Sequence, residues 1–267
     1  MIKGYCDPKF QKVYDAFSNS IESGFETGAA LSIEHKGNII VNLWGGYQDA
    51  NKTKTWEENT LVNVFSVSKG VTATCVSRLI DQGKLDPEKR VGHYWPEYSC
   101  NGKEETKVSD LLCHRAAMFG FKEGIPIGSF QDWSKFTQQL QSQSPYRKPG
   151  ISQGYHALTF GWLVGELIRR VDGRSVGQYF KEEIAEPLNI DFHIGLAEID
   201  FMRCADMLMI ERDSMQLPGQ FLRYVPSFLL PKRLKNFKTA LLSGDFLEAF
   251  QEREEEDANY VNSLDWR

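Results

Sequence analysis

Paired cysteines are the first thing this chain lacks. It has five in 267 residues, Cys6, Cys75, Cys100, Cys113 and Cys204, an odd number scattered without paired spacing. That excludes a disulfide framework and a zinc site of the paired-ligand kind, and it reads as reduced thiols in an intracellular compartment, cytoplasmic or mitochondrial. Histidine is equally sparse: the five, at 35, 93, 114, 156 and 193, show no His-x-x-x-His or acid-paired helical spacing, so no metal is expected. There is no Gly-x-Ser-x-Gly elbow, which removes the central element of an α/β-hydrolase, and no phosphate-binding glycine loop. No cofactor is expected. The N-terminal residues hold neither an apolar leader nor the arginine and serine of a transit peptide, and no apolar run reaches the ~20 residues of a membrane span. A net charge of −5 gives no general attraction to nucleic acid or an anionic membrane.

Apolar residues are not scarce. At 41% of the chain they suffice for a sizeable core in one large domain or two small ones. Phe10, Val13, Tyr14 and Phe17 share one face of a helix expected from Pro8 to about Ser20. Ala29–Glu34 and Asn38–Tyr47 alternate in polarity around His35-Lys36-Gly37, which predicts an antiparallel hairpin. From Ser66 to about Leu188 the period is helical, with helices near 67–82, 107–113, 131–142, 156–171 and 175–186. A polar loop at 97–106 and a Gly/Pro-rich stretch at 120–130 are expected to border a cleft. His114 is expected to orient a loop, and His156, directly after Tyr155, is a candidate pocket-lining residue. Beyond Pro231 the character changes to a basic run, Lys232-Arg233-Leu234-Lys235, and an acidic one, Glu252-Arg253-Glu254-Glu255-Glu256-Asp257. This divides the chain into 1–231, the domain proper, and 232–267, a charged helical tail whose runs read as solvated faces.

The candidate chemistry sits in Asn63-Val64-Phe65-Ser66-Val67-Ser68-Lys69-Gly70-Val71. An apolar, strand-like lead-in here gives way to a helical pattern. Residues i and i+3 of a helix share a face, so the Lys69 amine can reach the Ser66 hydroxyl and take its proton when uncharged. Moving an amine from a pKa of about 10.4 to near 7 takes roughly 4–5 kcal/mol of differential solvation. A serine at a helix start also has free backbone N–H groups beside it for an oxyanion. A serine-x-x-lysine tetrapeptide is common, about one chance match in a chain this long. Its competing structural reading is a Ser66 side chain that caps the helix and a solvated Lys69.

A second segment, Lys148-Pro149-Gly150-Ile151-Ser152-Gln153-Gly154-Tyr155-His156-Ala157-Leu158-Thr159-Phe160-Gly161-Trp162, changes the balance. With the first, it resembles the serine β-lactamase-like family of penicillin-binding proteins, class C β-lactamases, related esterases and the animal β-lactamase-like proteins. In that family a Pro-Gly turn leads to the tyrosine of a Tyr-x-Asn motif. Tyr155 takes the tyrosine position, and Ala157 replaces the asparagine that helps hold an amide side chain of the substrate. Gly83-Lys84-Leu85-Asp86-Pro87 with Val91, Tyr94 and Pro96, then Val108-Ser109-Asp110-Leu111-Leu112-Cys113-His114-Arg115, and Ile184-Ala185-Glu186-Pro187-Leu188-Asn189-Ile190 continue the resemblance in order, from about Gly28 to about Leu196.

The resemblance implies an α+β, β-lactamase/transpeptidase-like fold, here incomplete: an N-terminal helix and β-hairpin beside a mostly helical lobe, with the C-terminal sheet strands missing. It implies Ser66 as nucleophile, Lys69 as base and Tyr155 as proton shuttle in a serine hydrolase acting on a small ester or amide through an acyl-enzyme. A phenol beside an ammonium suits general acid–base work at neutral pH; its competing reading is an aromatic that opens a buried helix and bonds a loop carbonyl. The family's third motif, a Lys-Thr-Gly, His-x-Gly or Trp-Gly-Gly triplet on a late strand, has no equivalent here. Trp44-Gly45-Gly46 precedes the nucleophile, His193-Ile194-Gly195 follows the Glu-Pro-Leu turn too closely, and Lys238-Thr239-Ala240 lies in a helical pattern. The chain therefore reads as a C-terminally truncated relative, with a non-catalytic binding or scaffold role as the alternative. An open hairpin edge with a buried face is prone to pairing, so self-association or a partner is expected there.

Overall fold

The computed structural model describes residues 2–124 and 129–208, together with 226, 230, 231, 262 and 263. The chain opens with a strand, β1 (Ile2–Cys6). It turns through a short 3₁₀ segment that Asp7 caps by accepting the Lys9 N–H, and enters helix α1 (Gln11–Glu22). Strands β2 (Gly28–His35) and β3 (Asn38–Gly46) follow. The sheet is antiparallel with order β1-β3-β2, and the Ile33/Glu34 irregularity kinks its outer ladder. Along the inner face Val41 and Leu43 are fully enclosed against Phe17, flanked by Phe10, Val13 and Tyr14, the helix face that the sequence assigned to this contact.

The hairpin is therefore not alone: β1 lies on the far side of β3, with Tyr5 opposite Asn42 and Ile2 opposite Gly45. Sequence reasoning missed this strand because five residues containing a lysine and a glycine show no alternation. Gly4 is required there. Its φ is +106°, and a Cβ would fall 2.0 Å from the Asn42 carbonyl oxygen.

The helical lobe comprises α2 (Val67–Asp81), α3 (Val108–Leu112), α4 (Trp133–Ser142), α5 (Thr159–Asp172), α6 (Val176–Phe180) and, after a π-helical turn at Lys181–Ala185, α7 (Glu186–Leu188). Its core is built at helical spacing from Val76 and Leu79 of α2, Phe136 and Leu140 of α4, and Leu163, Val164, Leu167 and Ile168 of α5, with Trp95, Tyr98 and Tyr179 buried among them. α5 stops at Gly173, whose φ of +91° is the left-handed conformation that ends helices. The segment expected as one helix over 175–186 contains the π turn, placed just before Pro187, which has no N–H to give to the preceding turn.

Two buried charges hold the lobe together. Lys103 is 1% exposed: its ammonium donates to the carbonyls of Gln141 and Gln143 at the end of α4 and lies 5.2 Å from the Tyr98 ring. The polar loop expected only to border a cleft is thus plugged into the C-terminal end of α4. Glu166, also 1% exposed, accepts from Trp133 Nε1 (2.8 Å), from Arg169 (2.7 and 2.8 Å) and from Arg170 Nε (2.8 Å). Burial pushes its carboxyl pKa up, but the bonds from Arg169, Trp133 and Arg170 outweigh that and hold it below the usual range.

The basic and acidic runs of 232–267 lie outside the described residues, as do 125–128 of the Gly/Pro-rich stretch. Asn262 is described, and its side-chain amide pairs with both the N–H and the carbonyl of Met207. No helix among the described residues is long and apolar enough to cross a membrane.

Glu166→Ala is expected to lower the unfolding free energy at pH 7 by about 2–4 kcal/mol, because two arginines and an indole lose a buried acceptor. A carboxyl whose folded pKa is depressed stabilises above its unfolded pKa and stops doing so as pH falls through the folded one. The gap between wild type and variant should therefore close below about pH 4 in chemical denaturation.

Candidate active site

The turn that presents Ser66 is strained and well tied. Phe65 has φ +44°, left-handed for a non-glycine residue, while its N–H is taken by Asn63 Oδ1 at 2.9 Å. Val67, Ser68 and Lys69 then donate to the carbonyls of Val64, Phe65 and Ser66 at 3.1–3.2 Å, winding the chain into α2. Among the described residues the Ser66 backbone N–H donates to no acceptor, so it remains available at the helix start.

The capping role for the Ser66 hydroxyl does not occur: Ser66 is the N-cap of α2, yet its side chain makes no capping bond. Lys69 Nζ donates to Ser66 Oγ at 3.1 Å, and Tyr155 OH lies 2.8 Å from the same oxygen. Lys69 Nζ also donates to the Ala157 carbonyl at 2.7 Å and sits 5.1 Å from the centre of the Tyr155 ring. Neither of these acceptors is an anion, and among the described residues no carboxylate pairs with Lys69. Ser66 is exposed, while Lys69 and Tyr155 are half-buried. The three residues singled out in the sequence thus meet at one oxygen. Tyr155 bonds a side-chain hydroxyl, which departs from the loop-carbonyl role weighed for it.

Tyr155 and Ala157 belong to a stretch that precedes α5, not to the helix expected from 156. This stretch is pinned to the loop after α3. Gly150 and Gly154 donate to the carbonyls of Arg115 and His114, Tyr146 to that of Ala117, and Thr159 Oγ1 to that of Met118 at 2.6 Å. His114 and Ala117 take left-handed backbone angles to make these bonds. His156 is completely buried and does not line a pocket; its ring lies against His114, with the two Nδ1 atoms 3.1 Å apart. The Ala157 side chain packs with Ala117 and Phe119, flanked by Tyr146 and Tyr155. An apolar wall therefore stands where the resembled motif carries an amide.

Other sequence candidates fall elsewhere. Trp44 and Gly45 are paired with β1 on one side and β2 on the other. His193 is bound to Asp191 at 2.9 Å in a loop. Lys238-Thr239-Ala240 lies outside the described residues. Behind the Phe65–Ser68 turn lies a cavity of about 510 Å³ whose walls include Leu61, Val64, Phe65, Phe192, Ile194 and Leu196. Cys6, Cys75, Cys100 and Cys113 are free thiols. Sequence reasoning missed three contributors: the Phe65 backbone, the Ala157 carbonyl and the His114–His156 pair. The third had a weak signal, two histidines each beside a quoted motif, but their contact spans 42 residues.

Known proteins bear on this geometry. The family model described as Beta-lactamase matches residues 15–260. The esterase/β-lactamase LipL of Mycobacterium tuberculosis is 36% identical over 208 residues, which cover 77% of this chain and 48% of that protein. A family VIII carboxylesterase of known crystal structure superposes with a TM-score of 0.73 at 41% identity, over 78% of this chain and 57% of the other. A penicillin-binding protein homologue from Caulobacter crescentus does so with a TM-score of 0.75 at 34% identity, over 79% and 57%. The chain spans roughly half the length of these relatives. By sequence match and by fold, the chain belongs to the β-lactamase family of serine hydrolases.

Proposed function

We propose that the chain carries the acylation machinery of a serine hydrolase acting on a small ester or amide, with Ser66 as nucleophile, Lys69 as its base and Tyr155 as proton shuttle. The observation that carries this reading is the convergence of Lys69 Nζ and Tyr155 OH on Ser66 Oγ, at 3.1 and 2.8 Å. In the proposed step Ser66 Oγ bonds to the substrate carbonyl carbon, and its proton passes to Lys69 in its uncharged form, directly or through the Tyr155 oxygen. The negative charge that builds on the carbonyl oxygen meets the unoccupied Ser66 N–H. Tyr155 then hands a proton to the departing alkoxide or amine, and a water molecule releases the acyl group by the same path in reverse. LipL carries the words esterase and β-lactamase in its name, and the carboxylesterase shares the fold at 41% identity, which supports an ester as substrate. The apolar wall of Ala157 and Phe119 supports a substrate without an amide side chain at that point.

A second reading, a non-catalytic binding or scaffold relative, has one observation in its favour. Trp44 and Gly45 are committed to the sheet on both sides, so the described residues supply a single identified oxyanion donor, the Ser66 N–H. A missing second donor costs about 10²- to 10³-fold in turnover. The proposal extends to an intracellular setting, which the odd number and scattered spacing of the cysteines support. It extends also to a further strand, or a second copy of the chain, along β2, which has one ladder neighbour among the described residues.

A fluorophosphonate probe is expected to label the protein covalently at Ser66. Ser66→Ala should abolish labelling with an unchanged melting curve, and Tyr155→Phe should slow it by about 10²- to 10⁴-fold. Label persisting in Ser66→Ala, or none on folded wild-type protein, sinks the hydrolase reading. In size-exclusion chromatography with light scattering the chain should run as a self-associated species; a monodisperse monomer at micromolar concentration removes the sheet-edge partner.

A further inference from the structure

Beneath Tyr155 lie two histidines that the proposed chemistry does not use. His114 Nδ1 accepts the His156 backbone N–H at 3.2 Å and lies 3.1 Å from His156 Nδ1, while His156 Nε2 accepts the Met118 N–H at 3.2 Å. A nitrogen that accepts carries no proton, so these contacts permit one arrangement. His156 is protonated on Nδ1 and donates to His114 Nδ1, and the proton of His114 is on Nε2. A further proton on either ring would have to occupy a nitrogen that already faces an N–H.

We propose that His114 and His156 form a neutral latch that positions Tyr155 and the Ala157 carbonyl at the nucleophile, and that protonation of the latch sets the acid limit of Ser66 reactivity. The second half rests on the hydrolase reading; the first does not. His156 lies between Tyr155 and Ala157 in the chain, so the bond from its backbone N–H to His114 fixes both neighbours at once. The Tyr155 ring packs on the His114 ring with centroids 4.9 Å apart, and the Ala157 carbonyl accepts from Lys69 Nζ at 2.7 Å. If the latch opens, Tyr155 and the lysine's second acceptor leave together.

Among the described residues, the charged and titratable groups facing the pair are Lys69 from α2, Arg147 from the segment before Gly150, and Tyr155 itself. The two cations disfavour a further positive charge. Burial, then the neighbouring charges, lowers the His156 imidazole pKa to about 3, and burial followed by Lys69 lowers that of His114. A histidine held neutral in the fold contributes stability that is fully present above its unfolded pKa. That contribution is lost as pH falls below about 6.5 toward the lowered value. His114 is half-buried and His156 completely buried, so His114 is the ring nearer to solvent.

Long-range ¹H–¹⁵N spectra of the full chain labelled at histidine test the latch directly. Two neutral rings of opposite tautomer at pH 7.5, Nδ1–H on His156 and Nε2–H on His114, each titrating below a free histidine, are the expected result. Matching tautomers, or titration of either ring like a free histidine, overturns the proposal. The pH profile of Ser66 labelling tests the second half. His114→Asn keeps an acceptor at the Nδ1 position but cannot take a proton, so it should move the acid limb to lower pH. His114→Leu, with no acceptor, should slow labelling at pH 7.5 by at least tenfold. An acid limb identical in wild type and His114→Asn overturns the pH control. Should wild-type protein show no labelling at any pH, the hydrolase reading and the pH control fall together, and the spectra alone decide the latch.

Discussion

One hydrogen bond, from Lys69 Nζ to the Ala157 carbonyl at 2.7 Å, joins two parts of the chain 88 residues apart and gives the site its shape. On one side is the first turn of α2, which carries Ser66; on the other is the stretch before α5 that carries Tyr155. Neither could bring a hydroxyl, an amine and a phenol together alone. A helix fixes Ser66 relative to Lys69, because i and i+3 share a face, but it says nothing of where a phenol will be. The carbonyl brings the lysine to the tyrosine's own backbone, and the phenol then reaches the serine oxygen at 2.8 Å. The surrounding structure serves this contact: α5 and the loop after α3 clamp the Tyr155 stretch, and the core of α2, α4 and α5 fixes the distance between the two parts.

What could be read from the sequence follows from how each feature is encoded. Amphipathic periodicity placed α2, α4 and α5 within a few residues, because a helix that packs on a core must repeat its apolar positions. Ser66, Lys69 and Tyr155 were visible because short-range spacing and a resemblance in order carry them. The features that were not visible depend on contacts distant in sequence. β1 exists because β3 offers it a ladder, and nothing within Ile2–Cys6 announces that. Nothing in the sequence marks Glu166 and Lys103 as buried, because their partners are distant in it: Trp133 for the first, beside two nearby arginines, and the carbonyls at the end of α4 for the second. The early end assigned to α5 has the same cause. Tyr155 to Leu158 have helical propensity, but their backbone groups bond His114 and Lys69 instead.

The departure at Ala157 concerns a side chain and not the backbone group that meets Lys69. What the site takes from this position is a carbonyl, which every residue provides. The side chain is left free to change, and here it joins Phe119 and Tyr146 in an apolar wall. The same separation of backbone from side chain applies at Phe65. Its left-handed angle, worth about 1–2 kcal/mol of local strain, belongs to the turn and not to the phenyl ring.

Ser66 begins α2 without capping it, although serine is among the best capping residues and such a bond contributes about 1 kcal/mol. Its oxygen cannot both tether the helix and face an electrophile. A laboratory selection for heat resistance alone would therefore favour side chains at this position that turn back onto the helix, and would breed tougher proteins that have quietly lost the hydroxyl proposed as nucleophile.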